Sequence, residues 1–569
     1  MTDDRRQRVI LTRHFLRGFL DNDLVSPAND LHGVLARLAA LLVIPAVFFP
    51  FELLFKYTYP FRTYEQLEAA SWSDKSVFVT LSFIVMGLLT VLQWDALQLD
   101  RRDAMALGVL PIRSRTVIQA KMAALGTFLL AAAGVPAVIG AASFPLIMHA
   151  RWPTRVVDYG ATVLGHLAAS MGVAAFVFFT LLGVHGVLRI VLGPAAFRRA
   201  SAAVQMGVTF ALAVALLMLP TIAAGTASLK APSSAAGRMA PQMWFLGVYE
   251  AISGQADPDW RRLATRGVVA LVASLVLGVT ANLLAYRRVS SRAIDAVQAG
   301  RPGRSVMMRV FDGIGGVLAR DPAERGFFAF TLVTLGRSAW HRVLMAGFLG
   351  GALALSIAAI DVTTYDVNSG GRHPVEEPHL LFIELLVVAM AMIGVRTSAA
   401  SPAELRANWM LRTVDLGRGA SWMAGFRKAV MTAVAVPLSL VLAAAVGLVA
   451  GWDVAWPHAI VMVVFAALMF EVLFLGFDKV PFACAFAGAS GTFKVRWLAL
   501  GALLTTVLFP VAQLIVAART SPANVAVLAA VAAIGIAALR VHSRRAMARG
   551  DGLRFEPQED RTQALGLSD

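Results

Sequence analysis

The chain has 569 residues, of which 58% are hydrophobic and only 15% are charged, and its mean hydropathy is +0.69. A soluble domain carries about a quarter charged residues, so this composition excludes a water-soluble globular protein and predicts that lipid is the solvent. The net charge of +16 does not indicate nucleic-acid binding, because the basic residues fall in short patches between apolar runs and no recognition motif is present.

Near its start the chain has an amphipathic segment, RVILTRHFLRGFL, which predicts a helix lying in the membrane interface. Twelve apolar runs of about 20 residues, each long enough to span a bilayer, follow it. They are 34–55, 76–98, 122–147, 160–186, 203–225, 266–286, 343–361, 379–396, 429–451, 457–477, 496–517 and 523–540. Backbone polar groups in lipid must be bonded within their own segment, so these runs predict helices. The predicted fold class is an all-α polytopic membrane protein with about 12 transmembrane helices in two six-helix repeats.

The basic residues predict the orientation of these helices. If the amino terminus is cytoplasmic and the spans alternate, most of the 51 lysines and arginines fall in cytoplasmic segments. Both termini are then expected in the cytoplasm. Only one outer segment, 226–265, is expected to offer much surface.

The order of elements repeats on either side of the basic stretch 287–342. Each half has an amphipathic lead-in, two spans, a basic loop and four more spans, and the second lead-in is 324–343. The basic loops are 100–121 and 404–428, in which Lys121 corresponds to Arg427 or Lys428. The predicted domains are a first six-helix module over 1–290, a cytoplasmic linker over 291–323, a second module over 324–545 and a cytoplasmic tail over 546–569.

The first basic loop carries a family resemblance. It ends in a leucine-proline-basic turn before a helix, with the residues Leu110, Pro111, Ile112, Arg113, Ser114, Arg115 and Lys121. This loop, and the six-span module with its amphipathic lead-in, resemble ABC-2-type exporter permeases. The resemblance covers the first half well and the second half loosely, because Asp415, Leu416 and Gly417 stand where the leucine-proline pair would be.

The resemblance implies the transmembrane permease subunit of an ATP-driven exporter in a bacterial cytoplasmic (inner) membrane. It implies two separate ABC ATPase subunits as partners, besides membrane lipid, with no nucleic acid and no cofactor. In this family a short helix of the cytoplasmic loop sits in a groove of the ATPase. The residues implied for this coupling contact are Asp100, Arg101, Arg102, Asp103, Leu110, Pro111, Arg113, Arg115, Arg412, Asp415 and Arg418. An alternative is that these charges only set topology or bind lipid phosphate.

The chain itself is not expected to be an enzyme. It contains no G-x-x-x-x-G-K-[ST] phosphate loop, so ATP hydrolysis would reside in the partner chain. His373, Glu376, Glu377 and His379 are zinc-ligand types, but Pro374 and Pro378 prevent a helix that would align them, so no metal is predicted. A membrane-bound transferase would need an acid-base or metal constellation that the sequence does not offer. A non-transporting scaffold is a further alternative.

Two acidic residues fall within predicted spans. Glu384 lies early in its span and Glu471 lies late in its own. Ionisable groups in a membrane usually face a bundle interior or a pathway, so both are candidate pathway residues. They support an alternative function, an ion-coupled secondary transporter in which one of these carboxyls carries a proton. For neutral polar residues in spans, such as His166, an interhelical hydrogen bond is expected.

Overall fold

The computed structural model describes residues 3–20, 53–54, 56–57, 64–97, 107, 110, 112–149, 156–222, 239–254, 258–292, 306–319, 321–364, 374–403, 410–411, 413, 419–484, 506–549 and 553. Within these residues the secondary structure is helical and contains no β-strand. The chain divides into two compact units, Met1–Pro302 and Gly303–Asp569.

The first unit is a bundle centred on one long helix. Its described helices are α1 (Asp3–Leu20), α2 (Tyr64–Leu92), α3 (Ser114–His149), α4 (Val156–Val191), α5 (Pro194–Leu217), α6 (Pro241–Ser253) and α7 (Pro258–Arg292). The central helix is α4, which packs against α2, α3, α6 and α7. α5 and α6 each begin with proline, which fits a first helical position because it lacks the N–H that would be unsatisfied there.

The second unit packs around α11 and α14. Its described helices are α8 (Val306–Leu318), α9 (Pro322–Arg337), α10 (Ala339–Thr364), α11 (Glu377–Ala399), α12 (Gly419–Val430), α13 (Val436–Ala450), α14 (Trp452–Leu473), α15 (Thr506–Ala518) and α16 (Pro522–Arg549). A π-helical turn, Met431–Ala435, joins α12 to α13 without a break in the helix. Pro437 follows this turn, and its ring cannot coexist with a regular helical hydrogen bond to the preceding turn, which accounts for the widening.

Ten helices of the described residues are long and apolar enough to cross a membrane, five in each unit. They coincide with ten of the twelve predicted runs, which confirms the all-α, multi-pass membrane class. The predicted run 34–55 lies mostly outside the described residues. The run 496–517 is described only from residue 506, where α15 begins.

The segment 226–265, which the sequence predicts to offer much surface, is exposed only in part over its described residues. α6 lies within this segment, and Phe245, Tyr249 and Trp260 are almost completely buried. The Trp260 ring stacks on Trp72 with 4.9 Å between centroids. These large aromatic side chains pack against α2 and α4, so the inward face of α6 and the Trp260 ring belong to the core of the unit.

Candidate functional sites

In the first unit, α1 is fixed to the beginning of α3. Phe15 is 3% exposed, and Lys121 Nζ lies 5.0 Å from the centre of its ring. The same ammonium donates to the Ala96 carbonyl over 2.7 Å, in the short 3₁₀ helix Trp94–Leu97 that follows α2. Thr12 Oγ1 donates to the Ala120 carbonyl over 3.4 Å. One lysine of α3 therefore joins the amphipathic helix to two spans.

In the second unit, α9 is fixed to α12 in a comparable way. Phe327 stacks on Trp422, with 5.4 Å between ring centroids and an interplanar angle of 16°. Lys428 Nζ lies 2.6 Å from Glu324 Oε1 and also donates to the Leu318 carbonyl over 2.6 Å. Gly425 allows this approach, because a Cβ there would overlap the Glu324 carbonyl. As in the first unit, a lysine near the start of the span contacts the lead-in helix.

Three residues implied for ATPase coupling lie next to the contact between α1 and α3. Leu110, Arg113 and Arg115 are exposed, and the Arg113 side chain is 81% accessible. Arg113 makes an exposed ion pair with Asp4 at 3.3 Å. The other implied residues lie outside the described residues, namely Asp100, Arg101, Arg102, Asp103, Pro111, Arg412, Asp415 and Arg418.

Glu471 is held by two arginines from other helices. Its carboxylate is 2% exposed, and Oε1 accepts a hydrogen bond from Arg540 Nε of α16 over 2.8 Å. Arg427 Nε of α12 lies 2.9 Å from the same oxygen. The guanidinium of Arg427 also lies over the Phe470 ring, 5.6 Å from its centre. The two arginines and the buried carboxylate therefore link three helices, α12, α14 and α16.

Glu384 belongs to a chain of ionisable groups that we call the Glu384 cluster, made of Glu384, His458, Glu377 and Arg519. His458 is 1% exposed and bridges two turns of α11: its Nδ1 lies 2.6 Å from Glu384 Oε2, and its Nε2 lies 3.4 Å from Glu377 Oε1. Both carboxylates can accept from the ring only when both nitrogens carry hydrogen. Arg519 forms an ion pair with Glu377 at the exposed end of the Glu384 cluster. Glu384 Oε1 has no hydrogen-bond partner in the described part of the chain.

The structure does not bring the two predicted glutamates into one site. Glu384 contacts His458 near the beginning of α14, whereas Glu471 lies near the end of the same helix. The 13 positions between His458 and Glu471 correspond to roughly 20 Å of helix at 1.5 Å per residue. A single proton pathway through both carboxyls therefore has no support in this geometry.

A third polar group, which sequence reasoning missed, lies in the first unit. Lys75 of α2 and Glu250 of α6 form an ion pair at 2.8 Å, with side chains only 4% and 0% exposed. Lys75 also lies 5.2 Å from the Trp72 ring centre and 5.1 Å from that of Tyr249. Burial, and then the neighbouring Glu250 charge, raise the pKa of Tyr249 well above its usual 10.0, so this phenol stays neutral.

The sequence analysis did not single out Lys75 or His458, because each lies at the edge of a predicted apolar run or just outside it. Lys75 directly precedes the run 76–98, and His458 is the second residue of the run 457–477. One signal was available. Glu377 and Glu384 are seven residues apart, which places both on one face of a helix, two turns from each other. That spacing indicates a shared partner.

Comparisons with protein-family models, with curated proteins and with solved structures found no match to this chain. Within the described residues, no group of three or more histidines, cysteines or acidic residues is placed to hold a metal ion.

Proposed function

We propose that this chain is the membrane subunit of an ATP-driven exporter of the ABC-2 type, in a bacterial inner membrane and with cytoplasmic termini. One observation carries the proposal. In each unit the lead-in helix packs on the first turns of a membrane span, α1 on α3 and α9 on α12, through a lysine near the start of that span. Two such modules in one chain match the two membrane domains that these exporters need.

The packing gives a physical route for coupling. A push on a short surface element moves the spans only if the element is joined to them without slack, because a packed interface shifts as a rigid body. The ammonium of Lys121 ties α1 to the ends of two spans. Exposed Leu110, Arg113 and Arg115 lie beside this junction, where an ATPase subunit with an acidic groove would bind. ATP hydrolysis would occur in that separate subunit, and two such subunits would bind one chain.

The test is a charge reversal at this surface, Arg113→Glu with Arg115→Glu, in the affinity-tagged full chain. The native chain is expected to copurify with a P-loop ATPase, identified by mass spectrometry, and to show ATP hydrolysis in the purified complex. The double variant should retain less than about a tenth of the bound ATPase, which corresponds to roughly 1.4 kcal/mol of binding free energy. Membrane insertion, measured as folded yield in detergent, should not change.

The matched control is Arg261→Glu with Arg262→Glu at the beginning of α7. Both residues are exposed, and Arg262 makes an exposed ion pair with Asp259 at 3.4 Å, much as Arg113 does with Asp4. This variant should bind the ATPase as the native chain does. A native chain that purifies without any ATPase would refute the exporter function, and equal loss in both variants would refute the assignment of the surface.

The Glu384 cluster favours a second candidate, an ion-coupled transporter, because a buried histidine between two carboxylates can take up and pass on a proton. Purified chain in liposomes with a pH-sensitive dye separates the two functions. An exporter driven by ATP should show no proton flux beyond that of protein-free liposomes. Flux that Glu384→Gln abolishes would instead establish the ion-coupled function.

A further inference from the structure

A cavity of about 360 Å³ lies within the first unit, among α2, α3, α4 and the end of α5. Its lining extends along α2 from Phe78 to Leu92, which is roughly 20 Å of helix. On the opposite side Ala133 and Ala137 of α3 contribute only methyl groups, so the small side chains leave the space open. The cavity is therefore lined by α2 along much of the length of this span.

The lining is apolar except for Ser82 of α2 and two polar residues of α4. No aspartate, glutamate, lysine or arginine is found among the described lining residues, so the cavity does not suit a charged ligand. His166 and Ser170 of α4 line it, and their spacing of four residues places them on the same face of the helix. Both are at most 2% exposed.

Each of these two residues presents an unused hydrogen-bonding atom. His166 Nδ1 and Ser170 Oγ are buried and have no hydrogen-bond partner in the described part of the chain. A buried polar atom without a hydrogen-bond partner destabilises the fold, and a ligand that supplies the partner recovers that free energy. Gly140 of α3 leaves room for the imidazole, because a Cβ at this position would lie 2.7 Å from His166 Nε2. The expected interhelical hydrogen bond of His166 is thus not made through Nδ1.

We propose that this cavity binds a neutral single-chain amphiphile of the long-chain alcohol class. The alkyl chain lies along α2 against Ala133 and Ala137. The hydroxyl donates to His166 Nδ1 and accepts from Ser170 Oγ. The part of α2 that lines the cavity is about as long as an extended alkyl chain. One hydroxyl can form hydrogen bonds with both unpaired atoms at once. The site does not depend on the exporter function, since it lies within one unit and needs no ATPase.

The binding test uses the purified full chain in nanodiscs and hexadecanol that carries a photoactivatable diazirine. After irradiation, peptides of α3 and α4 should carry the label. Ala133→Phe fills the cavity and should reduce this labelling about tenfold. Ala131→Phe places the same ring on the exposed side of α3 and should leave labelling unchanged. Equal labelling in both variants would overturn the site.

A second variant and a second probe test the hydroxyl contact. Ser170→Ala removes one hydrogen bond and should weaken hexadecanol labelling about fivefold, in line with a free energy near 1 kcal/mol. Labelling by a diazirine-bearing alkane, which has no hydroxyl, should not change in this variant. If Ala133→Phe fails to fold, the smaller Ala137→Val takes its place. Labelling by a diazirine phosphatidylcholine but not by the alcohol would refute the proposed ligand class.

Discussion

At the scale of the residue, the buried ion pair of Lys75 and Glu250 shows how this protein stabilises charged side chains in its interior. Two charges removed from water lose several kcal/mol of hydration each, and only a close partner offsets that loss. The pair meets this condition at 2.8 Å, with two aromatic rings around the ammonium. Glu250 Oε2 has no hydrogen-bond partner in the described residues, so Lys75 is the dominant stabilising contact of this carboxylate.

Removing one member of this pair should therefore destabilise the fold more than removing both. Lys75→Met leaves the Glu250 charge buried and should lower the free energy of unfolding by about 3–5 kcal/mol. Combining it with Glu250→Leu should recover most of that loss. Denaturation in detergent, followed by tryptophan fluorescence, measures both variants. The exposed pair gives the control, since Arg262→Met should change the free energy of unfolding by no more than about 0.5 kcal/mol. A double variant less stable than the single one would contradict this account.

At the scale of the element, the contact between α9 and α12 depends on a glycine. Gly425 brings the two helix backbones together, and Phe327, Trp422 and Lys428 make contacts that this approach allows. The sequence pattern predicts α9 as a lead-in helix, whereas most of α12 falls in the predicted basic loop 404–428. It does not predict how closely the two helices approach, because a glycine within a helix does not by itself indicate a close contact with another helix.

A valine at this contact should separate the two helices. Gly425→Val adds a branched side chain where even one Cβ would overlap the Glu324 carbonyl, and such overpacking typically costs about 1–3 kcal/mol. The thermal unfolding midpoint in detergent should fall accordingly. Ala420→Val lies on the exposed face of the same helix and serves as the control, with an unchanged midpoint expected. Equal midpoints for the two variants would show that the stability of the fold does not depend on the close approach of α9 to α12 at Gly425.

At the scale of the whole molecule, the orientation in the membrane is the property on which the proposed function depends. Arg115 should face the cytoplasm and Arg262 the outside, because an odd number of predicted spans separates them and the basic loops favour this orientation. The chain has one cysteine, Cys484, which is buried and can be replaced by serine to give a background without thiols.

Single cysteines in that background report the orientation. With an impermeant maleimide on intact cells, Arg262→Cys should be labelled, and Arg115→Cys only after the membrane is permeabilised. Both positions are exposed in the structure, so a lack of labelling does not reflect burial. The reverse pattern would place the proposed coupling surface outside the cell, where no ATP is available, and the exporter function would be untenable.

The sequence by itself determined the class of protein, since the length and hydropathy of a span follow from the thickness of the bilayer. It also identified Glu384 and Glu471 as unusual, because any carboxyl in an apolar run is costly. Only the tertiary structure decided their partners, His458 for one and two arginines for the other. Such pairings, like the cavity beside His166, depend on how distant helices pack. Helix packing is set by the shapes of many side chains at once, which no local pattern encodes.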